Sequence, residues 1–325
     1  MERESIEVTV KTPSRLHFSM IDLRGDLGRI HGSVGVAIDN PSIVLKAKEA
    51  PSIDVKGPRA DRVKAYAETL LAGSGISGGA SIEVLSDIIE HSGFGSGTQL
   101  ALAVGTALSE LYGLSLTAEE IAQKLNRSRR SGIGTYAFKH GGFIVDAGHK
   151  THSKMGIPPL LFRADVPESW RFVIGVPTIP NKKSGSAETN AFNKLDPPPA
   201  ILIGEISRII LLQMIPAILE EDIVSFGEAM TSVDFRFGEF WIEIQGGRFT
   251  HPLIEEGIGF LAENGALGVG QSSWGPGFYG LSEGEVQACK ICGDLERYLN
   301  EDGRKGRAFV AGPDNHGAIV TKTGI

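Results

Sequence analysis

The stretch His91-Ser92-Gly93-Phe94-Gly95-Ser96-Gly97-Thr98-Gln99 constrains this chain more than any other. Glycines at every second position let the backbone take positive φ and carry its N–H groups close to a ligand. Upstream, Ala80 to Leu85 alternates as a strand does. Downstream, Leu100, Ala101, Val104, Ala107, Leu108 and Leu111 recur at helical spacing. Strand, glycine loop, helix is an order that gathers unsatisfied N–H donors and the positive end of a helix dipole at one point, which suits phosphate. The same residues also describe a plain Gly/Ser turn with Ser96 or Thr98 near the N-cap. The loop has neither the lysine of G-x-x-x-x-G-K-[ST] nor the spacing of G-x-G-x-x-G.

A chain of 325 residues with 41% hydrophobic residues can bury a substantial core in two domains or one large body. Its 42 glycines are about twice the average share, as many tight turns and ligand-approaching loops require. A net charge of −7 lacks the basic face that nucleic-acid binding needs, so no nucleic acid is expected as a partner. No apolar leader follows Met1-Glu2-Arg3-Glu4 and no run of about 18 apolar residues occurs, so a cytoplasmic protein with no membrane partner is expected. Cys289 and Cys292 form a single C-x-x-C inside a helical pattern; without a second pair or a histidine cluster they read as reduced helix thiols, and no metal site is expected.

Ile6, Val8 and Val10 alternate, Thr12-Pro13-Ser14 interrupts, and Leu16, Phe18 and Met20 alternate again. With strands over 32–39 and 43–47, the first 50 residues read as an antiparallel meander. Between them lies Asp22-Leu23-Arg24-Gly25-Asp26-Leu27-Gly28-Arg29, a polar loop with two carboxylates and two arginines. A helix is expected over 61–72, and Thr117 with Glu120 makes a capping box for a helix over 118–128. Arg127 to Thr135 is a second glycine-bearing stretch with three arginines. Past Gly156-Ile157-Pro158-Pro159 the composition shifts, which divides the chain into domains 1–160 and 161–325. Asn181 to Asp196 is polar. Helical patterns follow at 200–218, 220–235, 251–264 and 285–299, with strands at 268–271, 278–281, 307–311 and 317–321. Helices and strands do not alternate strictly, which predicts α+β.

Three stretches in order resemble the motifs of the GHMP kinase superfamily: Ser14-Arg15-Leu16-His17, the 91–99 loop, and Gly268 to Gly277. The second differs from the superfamily's Pro-x-x-x-Gly-Leu-Gly-Ser-Ser-Ala by His91, Phe94 and Gly97. More specifically, Ser14 to Phe18, Asp22 to Arg29, Gly93 to Leu100, Arg130 to Thr135 with Gly141 to Asp146, and Asn315-His316-Gly317-Ala318 resemble the β-ribofuranosylaminobenzene 5′-phosphate synthase family. That resemblance implies a two-domain fold, a ribosomal protein S5 domain 2-like N-terminal domain followed by a ferredoxin-like one. It also implies a decarboxylating pentosyl transferase of archaeal-type methanopterin biosynthesis. Such an enzyme joins phosphoribosyl pyrophosphate to 4-aminobenzoate or 4-hydroxybenzoate with loss of pyrophosphate and CO₂. Mg²⁺, carried in by the phosphoribosyl pyrophosphate, and a homodimer belong to the same expectation.

Small-molecule kinases of this superfamily carry Ser-Gly-x-Asp before a Gly-Gly pair. Here Ser131-Gly132-Ile133 leads to Gly134, and glycine cannot act as a base. An ATP-dependent kinase and a non-catalytic phosphometabolite-binding protein are therefore the two rival readings. An oxocarbenium-like sugar calls for a carboxylate, and departing pyrophosphate for cations and backbone donors. The expected catalytic residues are Asp22, Asp26 and His17. The expected substrate-binding residues are Arg15, Arg24, Arg29, Gly93, Gly95, Ser96, Gly97, Thr98, Gln99, Arg130, Ser131 and Ser272. Each has a structural alternative: a solvated loop for 22–29, a core histidine for His17, a helix C-terminal pair for Arg129 and Arg130. A dry pocket favours loss of the carboxylate, and Phe94, Phe143 and Trp274 are aromatics that either line it or belong to the core.

Overall fold

The computed structural model describes residues 6–152, 156–179 and 196–324. The polar run from Asn181 falls almost wholly outside them. β1 (Ile6–Lys11) and β2 (Ser14–Asp22) are separated only by Thr12-Pro13, and they go to different sheets. This corrects the single meander expected for the first 50 residues. One five-stranded sheet has the order β14 (Ile319–Gly324), β1, β4 (Val44–Ala50), β6 (Gly79–Ser86), β5 (Asp54–Lys56). A second runs β2, β3 (Arg29–Ile38), β7 (Phe143–Asp146), β9 (Leu160–Ala164), with β8 (His149–Lys150) on β3. Proline removes a ladder donor and fixes φ, so the break falls where the chain changes sheets.

The third sheet is antiparallel, in the order β11 (Gly268–Gln271), β12 (Phe278–Glu283), β10 (Trp170–Pro177), β13 (Gly306–Ala311). α5 (Ala200–Leu219), α6 (Ile223–Gln245) and α7 (Pro252–Glu263) come between β10 and β11, and α8 (Glu285–Tyr298) between β12 and β13. This is the ferredoxin-like connection, enlarged by helices, and the mixed architecture is the expected two-domain α+β fold. The chain passes from the second sheet to the third between β9 and β10, and returns at its end to pair β14 with β1. α5 contains a π-helical turn over Ile210–Met214. Among the described residues it is also the one helix long and apolar enough to cross a membrane by length and composition.

α1 (Ala60–Gly73), α2 (Ser96–Tyr112), α3 (Ala118–Lys124) and α4 (Ile133–His140) cover the first half of the chain. α2 packs against β1, β4, α1, α3 and α4. Leu100, Leu102, Val104 and Leu108 are fully buried, each such side chain contributing roughly 1.5–3 kcal/mol. The expected capping box forms: Glu120 N–H donates to Thr117 Oγ1 at 3.2 Å and Thr117 N–H to Glu120 Oε2 at 2.8 Å. The helix is shorter than its pattern, because Asn126 and Ser128 take positive φ and turn the chain toward α4. α4 has no sequence signature; eight residues rich in β-branched and aromatic side chains are helical only through burial.

Candidate active site around the glycine loop

Gly95, at φ 78°, is the N-cap of α2 and Ser96 its first residue, so no side chain caps this helix, contrary to the Ser96 or Thr98 cap considered above. Gly93 sits at φ 92°, and a Cβ there would come within 2.1 Å of the Ser272 carbonyl oxygen. Only glycine fits that crossing. The crossing brings the three motifs together. Ser272 Oγ donates to the Gly93 carbonyl at 2.7 Å and accepts from His17 N–H at 3.1 Å. Ser273 N–H donates to the His17 carbonyl at 3.2 Å, and Gly277 N–H to the Ser92 carbonyl at 3.0 Å. Arg15 Nη1 also donates to the Gly93 carbonyl. Arg15, His17, Gly93, Gly95, Ser96, Gly97, Thr98 and Ser272 thus form one cluster.

Gln99 turns inward and donates to the Gly134 carbonyl at 2.8 Å, fastening α4 to α2. Gly134 faces the loop itself: a Cβ there would stand 3.2 Å from Thr98 Cγ2. The position that aligns with the kinases' carboxylate therefore lies against the glycine loop and holds no side chain.

Two guanidiniums that sequence reasoning missed complete this end of α2. A Cβ on Gly97 would meet Arg127 Nη2 at 3.0 Å and Arg62 Nη2 at 3.1 Å. Arg62 is oriented by Tyr66, whose hydroxyl accepts from Nε at 2.9 Å, and by Glu90 at 3.1 Å. Arg127 reaches only Thr98 Oγ1, at 3.3 and 3.4 Å, and has no carboxylate partner among the described residues. Burial, with Arg62 and Arg129 beside it, holds the Arg127 guanidinium below its ordinary pKa. An anion placed over Gly97 relieves that repulsion. The one sequence hint was Gly97 itself, standing where related loops carry serine.

The acid loop is built differently. Asp22 Oδ1 accepts from Arg24 N–H at 2.6 Å and Gly25 N–H at 3.2 Å, closing its own turn. Exposed Asp26 pairs with Arg24 Nε at 2.8 Å, and Arg24 Nη1 donates to the Pro198 carbonyl at 2.8 Å. Arg29 donates to the Ala147 and Gly148 carbonyls, each at 2.8 Å. None of these four side chains bonds to the glycine loop. Ser131 lies with its hydroxyl 2.6 Å from that of Ser33, which bonds buried Asp146. Asp146 also accepts from Gly132 and Gly148 N–H groups at 2.8 Å, and burial raises it to about 6. Arg130 is half-buried and lies six residues beyond Lys124, the last residue of α3, so it is not part of that helix's C-terminal turn. Phe94 and Phe143 are core side chains, edge-on to Phe309 and Phe226. The thiols of Cys289 and Cys292 are free, and no group of three or more His, Cys, Asp or Glu suited to a metal occurs among the described residues.

Across Ser272 from the glycine loop lies a cavity of about 40 Å³, walled by His17, Asp234, Gln271, Trp241, Trp274 and Phe249 among others. His17 is 5% exposed; burial and the Arg15 charge push its imidazole down to about 3, so the ring is neutral. Of the three aromatics considered for a dry pocket, Trp274 is the one that lines this cavity.

The fold and the loop are those of the GHMP kinase superfamily, and residues 61–142 match the family described as GHMP kinases N terminal domain. The homoserine kinase of Cytophaga hutchinsonii superposes with a TM-score of 0.67 at 16% identity, over 99% of this chain and 98% of its own. The β-ribofuranosylphenol 5′-phosphate synthase of Archaeoglobus fulgidus is 36% identical over 96% of this chain and 98% of its own length. That of Methanothermobacter thermautotrophicus is 34% identical over 98% and 99%. The chain belongs to the β-ribofuranosylphenol 5′-phosphate synthase family, and is an enzyme of the synthase class on a GHMP kinase scaffold.

Proposed function

We propose that this enzyme transfers the phosphoribosyl group of phosphoribosyl pyrophosphate to 4-hydroxybenzoate or 4-aminobenzoate, with release of CO₂ and pyrophosphate. The observation that carries the reading is the pairing of a phosphate loop with Gly134. The backbone donors of the loop, Arg62 and Arg127 suit a polyphosphate leaving group. The missing carboxylate beside Thr98 removes the base that phosphoryl transfer to a hydroxyl uses. A kinase would need that base; a ribosyl transfer needs the leaving group held and the sugar cation met by an electron-rich ring. Mg²⁺ enters as part of the phosphoribosyl pyrophosphate complex.

The chemistry divides between the two sides of Ser272. On the loop side, donors stabilise charge as the C1–oxygen bond of the ribose breaks. On the cavity side, the ring carbon bearing the carboxylate meets C1, and loss of CO₂ restores the aromatic ring. Removal of the carboxylate from bulk water favours that loss. The test is incubation with phosphoribosyl pyrophosphate and each arene acid, and separately with ATP, while CO₂, pyrophosphate and ADP are followed. Equimolar CO₂ and pyrophosphate are expected. ADP formed with a small-molecule alcohol and no CO₂ would restore the kinase reading.

A further inference from the structure

The cavity beyond Ser272 contains a group that neither the motifs nor the phosphate chemistry uses. Asp234, on α6, is 7% exposed. Its Oδ2 accepts from Gln271 N–H at 3.0 Å, and its other oxygen has no partner among the described residues. Next to it the Tyr279 hydroxyl is buried with no hydrogen-bond partner; a Cβ on Gly270 would lie 2.6 Å from that hydroxyl and 2.9 Å from Asp234 Oδ2. His17 and Ser19 face the space from β2, Gln271 and Ser273 from the third motif, and Arg248 from the turn after α6. Phe237, Trp241, Phe249 and Trp274 supply the rest of the wall, with the two indoles edge-to-face at 4.9 Å. A carboxyl group this deep is ordinarily paired; here one oxygen is left over in an aromatic enclosure.

We infer that this cavity seats the aromatic acceptor and that Asp234 accepts the hydrogen of its para hydroxyl or amino group, an inference that rests on the phosphoribosyl-transfer reading above. A space of about 40 Å³ holds roughly three water-sized groups, which matches the para-substituted edge of a ring, with the remainder along the aromatic walls. The opposite ring carbon, bearing the carboxylate, then points toward Ser272 and the loop. As Asp234 takes the para proton, the ring becomes electron-rich. Its carbon forms a bond to ribose C1 while the C1–pyrophosphate bond breaks and its electron pair leaves with pyrophosphate. The electron pair of the ring–carboxylate bond then returns to the ring as CO₂ departs, and the para oxygen or nitrogen recovers its proton from Asp234. No oxidant or further reactant is consumed.

Burial pushes Asp234 up to about 8, against the Gln271 bond that lowers it, which places its titration near working pH, as a proton-transfer group requires. His17 stays neutral across that range, and burial beside Asp234 holds the Tyr279 hydroxyl protonated, so neither mimics the Asp234 limb.

The test compares 4-hydroxybenzoate with benzoate, which lacks the para group, by isothermal titration into the parent, Asp234→Asn and Asp234→Ala, with circular dichroism as a check on folding. The parent is expected to bind 4-hydroxybenzoate about tenfold more tightly than benzoate, one hydrogen bond's worth. Asp234→Ala is expected to bind the two equally. In turnover, kcat/KM of the parent should rise to a plateau above pH 8, and Asp234→Asn should lose that limb. An undiminished preference in Asp234→Ala, a pH profile unchanged in Asp234→Asn, or no binding of either acid by the parent overturns the inference. If no CO₂ forms but the para preference is present and lost in Asp234→Ala, the cavity assignment stands and the transfer reading falls.

Discussion

The glycine loop at 93–98 and the acid loop at 22–29 look alike in sequence, each a short glycine-bearing run of polar residues after a strand. In the structure they are opposites. The acid loop has its charges engaged within the protein: Asp22 closes its own turn, Asp26 meets Arg24, and Arg24 and Arg29 also reach carbonyls of Pro198, Ala147 and Gly148. The glycine loop leaves donors over, because its helix has no side-chain cap and Arg127 has no carboxylate partner among the described residues. Charge density in a sequence does not make a binding site; unspent hydrogen-bonding capacity does.

The most damaging change to the glycine side is Gly93→Val. It meets both a positive φ and the Ser272 carbonyl, so activity should vanish and stability fall by more than about 2 kcal/mol, read from denaturant midpoints. Near-parental activity in this variant would detach the loop from the chemistry.

Arg127→Gln comes next. It removes a charge-assisted contact to phosphate, and kcat/KM for phosphoribosyl pyrophosphate should drop about 10²-fold, chiefly through KM. Circular dichroism should be unchanged, since the side chain makes no ion pair among the described residues. A loss carried by kcat alone would mean that the guanidinium acts only in the transition state.

The Asp234 side of the molecule makes a pH prediction. Its folded pKa of about 8 lies above the unfolded carboxyl value near 4, so the folded state holds the extra proton. Stability therefore falls as pH rises through that window, by up to about 1.4 kcal/mol per pH unit. Asp234→Asn should flatten the decline, and the gap in Tm between variant and parent should widen from pH 5 to pH 8. His17 works in the opposite sense: its folded pKa of about 3 is below the unfolded 6.5, so its contribution is complete above pH 6.5 and is lost as pH falls toward 3. Parallel pH curves for Asp234→Asn and the parent would show the carboxyl to be ordinary.

The sequence made the fold legible through its motifs and patterns: the capping box at Thr117, the strand before Gly93, and the helix after it all form. It left α4 unread, because burial rather than propensity makes that helix. It also left unread Arg62, Arg127 and Asp234, the residues proposed for the loop and the cavity. Arg62 sits on α1, Arg127 after α3 and Asp234 in the middle of α6, each distant along the chain from the loop or cavity it serves. Local spacing carries no trace of such pairings; tertiary packing creates them. The acid loop stands out in sequence because its charges are adjacent, but adjacency alone does not reveal that Asp22 closes its own turn or that Arg29 reaches the Ala147 and Gly148 carbonyls.

The smallest effects are expected in that loop. Asp22→Asn should lower stability by about 1 kcal/mol, through weakened turn bonds, with kcat changed less than Tm. Asp26→Asn should leave Tm unmoved. A drop in kcat of about 10² in Asp22→Asn at unchanged Tm would instead make the acid loop the carboxylate that meets the sugar cation.

The contrast between the two loops is tested most directly by isothermal titration of inorganic pyrophosphate, in the presence of Mg²⁺, into the parent, Arg127→Gln and Arg24→Ala. Pyrophosphate should bind the parent, bind Arg127→Gln at least tenfold more weakly, and bind Arg24→Ala as it binds the parent. Affinity lost in Arg24→Ala and kept in Arg127→Gln would place the leaving group on the acid loop and contradict the account.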